Sequence, residues 1–322
     1  MTPTPAAAPP APVAAGALAV WLQSLKDQVR PRLREFRRGA YSFSKSPIAL
    51  VGLVIILVFV VMAIAAPVLA PPAPGVTDPF EMPYELPQEW DPPSAAHPFG
   101  QTRLGMDIYY GVVWGSRLSM TIGLEVVVLS VIVGVLAGLI AGYYGRWVDE
   151  ALMRVTDIFF GIPALILAMA VIVSLGASLS NLVIALVIVG WPGYARLVRG
   201  VALQVKANLY VEAARASGSR TSKILRRHVL PNTISPLLVQ ATLDIGSVVL
   251  VSAGLSFIGF SFTTPLTAEW GRMVQDGQRH FGVAPSEWWP VFFPGLFIFL
   301  FVLGFNMLGD GLRDVLDPRL RR

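Results

Sequence analysis

IALVGLVIILVFVVMAIAA, residues 48–66, covers 19 residues without a charge or an amide side chain. At about 1.5 Å per helical residue it comes close to crossing a hydrocarbon core of roughly 30 Å. A cleaved signal peptide is the competing reading, since basic residues precede the run and small residues end it. The run is longer than a usual apolar signal region of about 7–15 residues, and it begins well inside the chain. It reads as a retained transmembrane helix. The composition of the 322-residue chain supports this, with 54% hydrophobic and only 14% charged residues. A soluble domain carries about a quarter charged residues, so this chain has too little polar surface for a soluble enzyme and too much apolar surface for a disordered chain. With no cysteine, disulfide scaffolds, thiolate metal sites and thiol catalysis are excluded.

Outward from this run, further apolar segments lie at about 119–141, 157–175, 182–197, 235–255 and 289–308. The segment at 182–197 is interrupted by Trp191, Pro192 and Gly193. The expectation is an all-α polytopic membrane protein with six transmembrane helices. Residues 1–46 form an N-terminal tail, whose Ala/Pro-rich part at 1–20 is expected to lack fixed structure. The first transmembrane helix occupies 47–66, and a Pro-rich loop occupies 67–117. A five-helix core runs over 118–309 with a long loop at 198–234, and a tail covers 310–322. Six spans place both termini on one side with the loops at 142–156 and 198–234. Lys and Arg on that side number 7 before the first span, 2 in the short loop, 8 in the long loop together with Arg196 just before it, and 4 in the tail, 21 in all. The other side has 4: Arg103, Arg117, Arg272 and Arg279. The positive-inside rule puts both termini in the cytoplasm. The net charge of +5 is therefore a topology signal, and nucleic-acid binding is not needed to explain it.

Gly134, Gly138 and Gly142 recur every four residues and share one helical face, a device for close helix–helix approach where lipid offers no hydrophobic drive. The loop at 198–234 contains LYVEAARASGSRTSKILRRHVLPN, residues 209–232. A helix over 201–216 is expected, with Gly218 supplying the positive φ of its C-terminal cap. A second helix is expected over 221–229, with Pro231 punctuating the start of the next span. Two short helices around a glycine at the membrane face look like a docking element. The alternative is a solvated connector whose basic residues serve topology alone.

The residues Glu212-Ala213-Ala214, then Gly218, then Leu230-Pro231 resemble the EAA loop of ABC-type importer permeases. His228, two before Leu230, occupies a position usually hydrophobic and matches the peptide-type branch. His97-Pro98-Phe99-Gly100, Leu104-Gly105-Met106-Asp107, Gly142-Tyr143-Tyr144-Gly145, Leu255-Ser256-Phe257-Ile258-Gly259, Trp270-Gly271, Asn306 to Asp314 and Asp317-Pro318-Arg319 extend the resemblance over about residues 36–320. It is to the second permease type of dipeptide/oligopeptide (nickel/peptide) importers. The resemblance implies an inner-membrane permease subunit that moves short peptides or similar small solutes. It implies as partners a second homologous permease subunit, two ATP-binding cassette ATPase subunits and an extracytoplasmic solute-binding protein, with membrane lipid as surroundings. It implies that Glu212, Ala213, Ala214, Gly218, His228, Leu230 and Pro231 couple the subunit to its ATPases, which bind the ATP and Mg. Two departures stand out. The family's T-D-x-L-G-R-D reads Gln101-Thr102-Arg103-Leu104-Gly105-Met106-Asp107 here, and Ser252 replaces a frequent glutamate.

Three carboxylates fall in or beside spans. Glu125 lies near an outer end, Asp157 is expected to pair with Arg154, and Asp244 lies mid-span. Ionisable groups at membrane depth face a cavity or a partner, so Asp244 either lines a translocation path or is paired inside. No lysine follows a glycine, so no phosphate-cradling Gly-Lys-Ser/Thr loop exists. His97, His228 and His280 are too scattered for a metal cluster, and no nucleophile elbow occurs. No enzymatic or metal site and no cofactor of its own are expected. The competing classes are a secondary transporter, which would couple flux to an ion gradient through intramembrane charges, and a non-transporting membrane scaffold.

Overall fold

The computed structural model describes residues 41, 43–72, 78–84, 91–102, 104–264, 266–281 and 287–316. The tract at 1–20, most of the basic stretch after it, Arg103 and the residues from 317 onward lie outside the described residues. The unit ending at Ser46 is described only at 41 and 43–46.

From Pro47 onward the described residues form helices: α1 (Pro47–Leu69), α2 (Ile108–Tyr144), α3 (Arg146–Gly161), α4 (Ala164–Leu175), α5 (Leu179–Lys206), α6 (Leu209–Ala216), α7 (Thr221–Ile224), α8 (Leu230–Ile258), α9 (Trp270–Phe281) and α10 (Trp289–Leu316). A π turn, Leu225–Val229, joins α7 to α8. No strand occurs among the described residues. Five helical stretches are long and apolar enough to cross a membrane, and α3 with α4 makes a sixth if the bent pair counts as one span. With no water in hydrocarbon to satisfy backbone groups, helices that satisfy their own are the economical answer.

The third span differs from the uninterrupted helix expected over 157–175. α3 stops at Gly161, and α4 leaves at 91°. Pro163 is the cause. The residue before a proline is pushed out of the α region, and Ile162 is extended at φ −106°, ψ 128°. The 12 residues of α4 reach only about 18 Å. By contrast, α5 runs unbroken through Trp191-Pro192-Gly193 for 28 residues. The helix expected over 201–216 is two helices. α5 ends at Lys206, and Asn208 turns extended (φ −80°, ψ 141°) to start α6, a role asparagine fills better than a helix interior. Pro231 falls in the first turn of α8, at the entry to the next span as expected, and the π turn lies just before it, where the Leu230 N–H reaches back to the Leu225 carbonyl. α2 begins at Ile108, earlier than the core boundary at 118, and α10 runs on to Leu316.

α2 and α5 meet along the glycine face. A Cβ on Gly138 would sit 2.5 Å from the Ala195 carbonyl oxygen, and one on Gly142 would sit 2.6 Å from the Ala202 Cβ. Gly134 is packed as tightly against Tyr194. The backbones are therefore closer than any side chain allows.

At the opposite end of α2, tryptophans lock the connections. The Trp114 indole N–H donates to the Ala70 carbonyl at 2.9 Å, Trp270 to Val112 at 3.0 Å, and Trp289 to Gln101 at 3.1 Å. Asp107 caps α2 by accepting from the N–H groups of Tyr109 (2.7 Å) and Tyr110 (3.2 Å), and His97 Nδ1 holds its other oxygen at 3.0 Å. Phe99 stacks on Phe293 with centroids 4.3 Å apart. Glu269, 4% exposed, caps α9 through the N–H groups of Gly271 (2.9 Å) and Arg272 (2.8 Å). Its carboxylate shares a cavity of ≈ 10 Å³ with Ser119 and Ser252, room for about one water. The buried acid at this cavity thus comes from residue 269, while position 252 supplies a hydroxyl.

Two outcomes follow from this packing. Gly138→Leu is expected to destabilise the protein by about 1–3 kcal/mol through overpacking, lowering the thermal midpoint of the detergent-purified protein followed by tryptophan fluorescence. Burial, the dominant influence, raises the Glu269 carboxyl above its ordinary range, opposed by its hydrogen bonds and by Arg272. A pKa raised on folding favours the folded state below the ordinary carboxylate value, and that contribution disappears as pH rises through the raised value. Glu269→Gln, neutral throughout, should flatten the pH dependence of the thermal midpoint on the alkaline side of the normal glutamate pKa. An unaltered slope would remove Glu269 as its source.

Candidate functional site

Residues 207–231 project at the end of the molecule where α2 finishes and α8 starts. α6 is anchored by one side chain, Val211, which is fully buried, and α7 and the π turn are anchored by Ile224 and Val229. These join Tyr143, Tyr194, Val198 and Val205 in one apolar cluster. On the opposite face Leu209 is 81% exposed, and Glu212, Ala213 and Gly218 are exposed with it. Ala214, His228 and Leu230 are half-buried, and Pro231 is exposed.

The turn after α6 is a Schellman cap. The Ser219 N–H donates to the Ala214 carbonyl and the Gly218 N–H to Arg215, with Gly218 at φ +73°. That conformation favours glycine, and a Cβ there would meet nothing within 4 Å. The small residues Ala213, Ala216 and Gly218 keep this face thin, leaving it open to another surface. Glu212 lies in the first turn of α6, where a carboxylate is favoured by the helix dipole. It has no ion-pair partner among the described residues. The Tyr210 ring sits 5.7 Å from that of His228, tying α6 to the π turn.

Charges brace this segment to the body. Arg199 on α5 forms a two-pronged bond to Asp149 on α3, Nε to Oδ1 at 2.6 Å and Nη2 to Oδ2 at 2.7 Å. The forked geometry is the strong form of this pair. Lys206 donates to the Tyr143 carbonyl at the end of α2 at 2.5 Å, where a cation complements the helix dipole. Fifty residues separate the partners Asp149 and Arg199, so no local signal in the sequence joins them. The expected pairing of Asp157 with Arg154 is overturned. Asp157 pairs with Arg196 of α5, whose guanidinium also covers the Phe160 ring at 4.0 Å, and Arg154 faces Glu150.

Asp244 is half-buried on α8. Gln240, one turn earlier, donates to it at 2.9 Å. The Tyr194 hydroxyl of α5 lies beside it outside strict hydrogen-bond geometry, and is buried without another partner. Glu125 is exposed on α2. Among the described residues no cluster of acidic or histidine side chains could hold a metal ion.

Residues 134–322 match the profile of the "binding-protein-dependent transport system inner membrane component", and residues 33–87 that of the "N-terminal TM domain of oligopeptide transport permease C". The chain is 39% identical over 286 residues to the dipeptide transport system permease protein DppC of Alkalihalophilus pseudofirmus, covering 89% of this chain and 90% of that one. It is 40% identical over 294 residues to the probable D,D-dipeptide transport system permease protein DdpC of Escherichia coli, covering 90% and 95%. It is 39% identical over 280 residues to the oligopeptide transport system permease protein OppC of Bacillus subtilis, covering 87% and 88%. Among solved structures, inward-facing MetNI methionine ABC transporter matches with TM-score 0.49 and 20% identity over 64% of this chain and 96% of that one. The chain, matched over more than half its length by the first profile, belongs to the family of binding-protein-dependent transport system inner membrane components.

Proposed function

We propose that this membrane subunit forms half of the translocation path of an ABC importer for short peptides, and that residues 207–231 receive the mechanical input of the partner ATPases. The observation that carries the reading is the extended similarity, through the exposed Glu212–Gly218 face, to permeases named for dipeptides and oligopeptides. The partners are a second homologous permease subunit, two ATPases on the cytoplasmic side and an extracytoplasmic peptide-binding protein. Both termini lie in the cytoplasm, a placement the distribution of Lys and Arg supports. ATP and Mg are bound by the ATPases, and this subunit carries no catalytic residue. Family membership disfavours the secondary transporter and the inert scaffold.

In this reading the thin face of α6 docks in an ATPase groove, with Glu212 giving the contact its direction and Gly218 its turn. When the ATPases close, the push reaches α5 through the short break at Ala207-Asn208 and α8 through the π turn. α8 carries a single carboxylate, Asp244. It lines the path and meets the cationic amino group of a peptide, with Gln240 and Tyr194 orienting it.

In membrane vesicles holding the assembled transporter, Glu212→Ala combined with Gly218→Val is expected to lower ATP-dependent uptake of a labelled dipeptide at least tenfold, with subunit levels unchanged. Full uptake by that variant would refute the docking role. Asp244→Asn is expected to weaken uptake of peptides with a free amino terminus by roughly tenfold, equivalent to about 1.4 kcal/mol, while N-acetylated peptides are little affected. Equal uptake by Asp244→Asn and the parent protein would remove Asp244 from the path.

A further inference from the structure

A groove of ≈ 370 Å³ opens between α1 and α2 near the tryptophan-locked end, with Val60 and Ile64 on one wall, Leu124 on the other, and Ile245 of α8 and Phe305 of α10 at its floor. It holds one charge, Arg117. The guanidinium lies over the Trp114 ring, 5.3 Å from its centroid. Among the described residues no carboxylate lies within ion-pairing distance of it. The groove's other polar side chain, Thr121, spends its hydroxyl proton on the Arg117 carbonyl at 2.8 Å.

The depth of the groove follows from α1. Trp114 donates to the carbonyl of Ala70, immediately past the end of α1 at Leu69. Arg117 is three residues further along α2, about 4.5 Å deeper. That is within the reach over which arginine extends its head to the membrane interface. Beside the groove α1 presents Val54, Val58, Val61, Ile64 and Val68, each more than half exposed. This face is apolar without interruption, as a hydrocarbon-facing surface must be. A peptide in the groove would find no wall groups for its backbone N–H and carbonyl groups, whereas acyl chains need none.

We propose that this groove binds an anionic phospholipid, its acyl chain lying against Ile245 and Phe305 and its phosphate pairing with Arg117. The guanidinium suits phosphate through its forked donors. A net-negative lipid is preferred because the ammonium of a zwitterionic headgroup offsets its own phosphate. The site is independent of the cargo and of the ATPase docking face.

The test is native mass spectrometry of the full-length chain, purified with the subunits that accompany it and titrated with phosphatidylglycerol or phosphatidylcholine. Phosphatidylglycerol is expected to be retained at least threefold more than phosphatidylcholine. Arg117→Gln should abolish that preference, and Arg154→Gln, at the far end of the molecule, should leave it intact. Equal retention of the two lipids, or an unchanged preference in Arg117→Gln, overturns the proposal. Should Arg117→Gln fail to accumulate, Leu124→Trp fills the groove without altering its charge. Loss of phosphatidylglycerol retention then supports the site, and unchanged retention overturns it. A crosslink from position 124 to another protein subunit at full yield would show a protein occupant and also overturn it.

Discussion

The backbone-to-backbone approach of α2 and α5 is the constraint on which the rest of the structure depends. Three glycines on one face of α2 leave α5 no freedom to rotate, because any rotation would drive a Tyr194, Ala195 or Val198 atom into the α2 backbone. With α5 fixed, Arg199 faces α3 and Lys206 reaches the end of α2. Tyr194, on the same helix, is placed beside Asp244 of α8. The projecting segment and the intramembrane acid are thus registered through one helix. Small residues in place of large ones give membrane helices dispersion contacts and short interhelical distances where burial alone offers little.

Registration through α5 also has a geometric side. A continuous helix of 28 residues extends over about 42 Å. At one end the chain breaks at Ala207-Asn208 before α6 begins. The π turn before α8 is the matching device on the other strand of the hairpin, since its widened turn leaves backbone groups in less regular bonds. Between these two irregularities α6 and α7 are held by Val211, Ile224 and Val229 in the apolar cluster. The ion pair of Arg199 with Asp149 then extends the same unit to α3, and through the bend at Pro163 to α4.

Much of this was legible in the sequence, for identifiable reasons. The long helices declare themselves because an uncharged run near 20 residues has few soluble explanations, and the glycine spacing names the face that packs. Gly218 was readable as a cap because a positive φ selects glycine. The bend at Pro163 had a signal, the proline itself, which the surrounding hydropathy outweighed. The break at Asn208 was masked by good helix formers on both sides. Ion pairing followed local spacing to Arg154, yet the chosen partner of Asp157 lies 39 residues away on another helix. Glu269 gave no sign at all. A glutamate in a polar loop is normally solvated, and only the fold reveals that Trp270 carries it into the interior.

The two ends of the molecule are held by chemically different bonds. Where Trp114, Trp270 and Trp289 sit, each indole N–H donates to a main-chain carbonyl 44, 158 and 188 residues away in sequence. The ring around each donor is buried, so opening such a bond exposes apolar area and strands a carbonyl at once. Phe59, Trp270 and Phe301 pack edge to face behind them, with centroids 5.2–5.8 Å apart. At the end bearing α6 the ties are Arg199 to Asp149, Lys206 to Tyr143 and Arg196 to Asp157, all partly exposed. Of these, Arg196–Asp157 is exposed on both sides and belongs to the weak kind, while the forked Arg199–Asp149 pair, with Asp149 only 16% exposed, is the strong one. One end is therefore closed by buried neutral donors, and the end bearing α6 is held chiefly by one forked ion pair and one cation on a helix terminus.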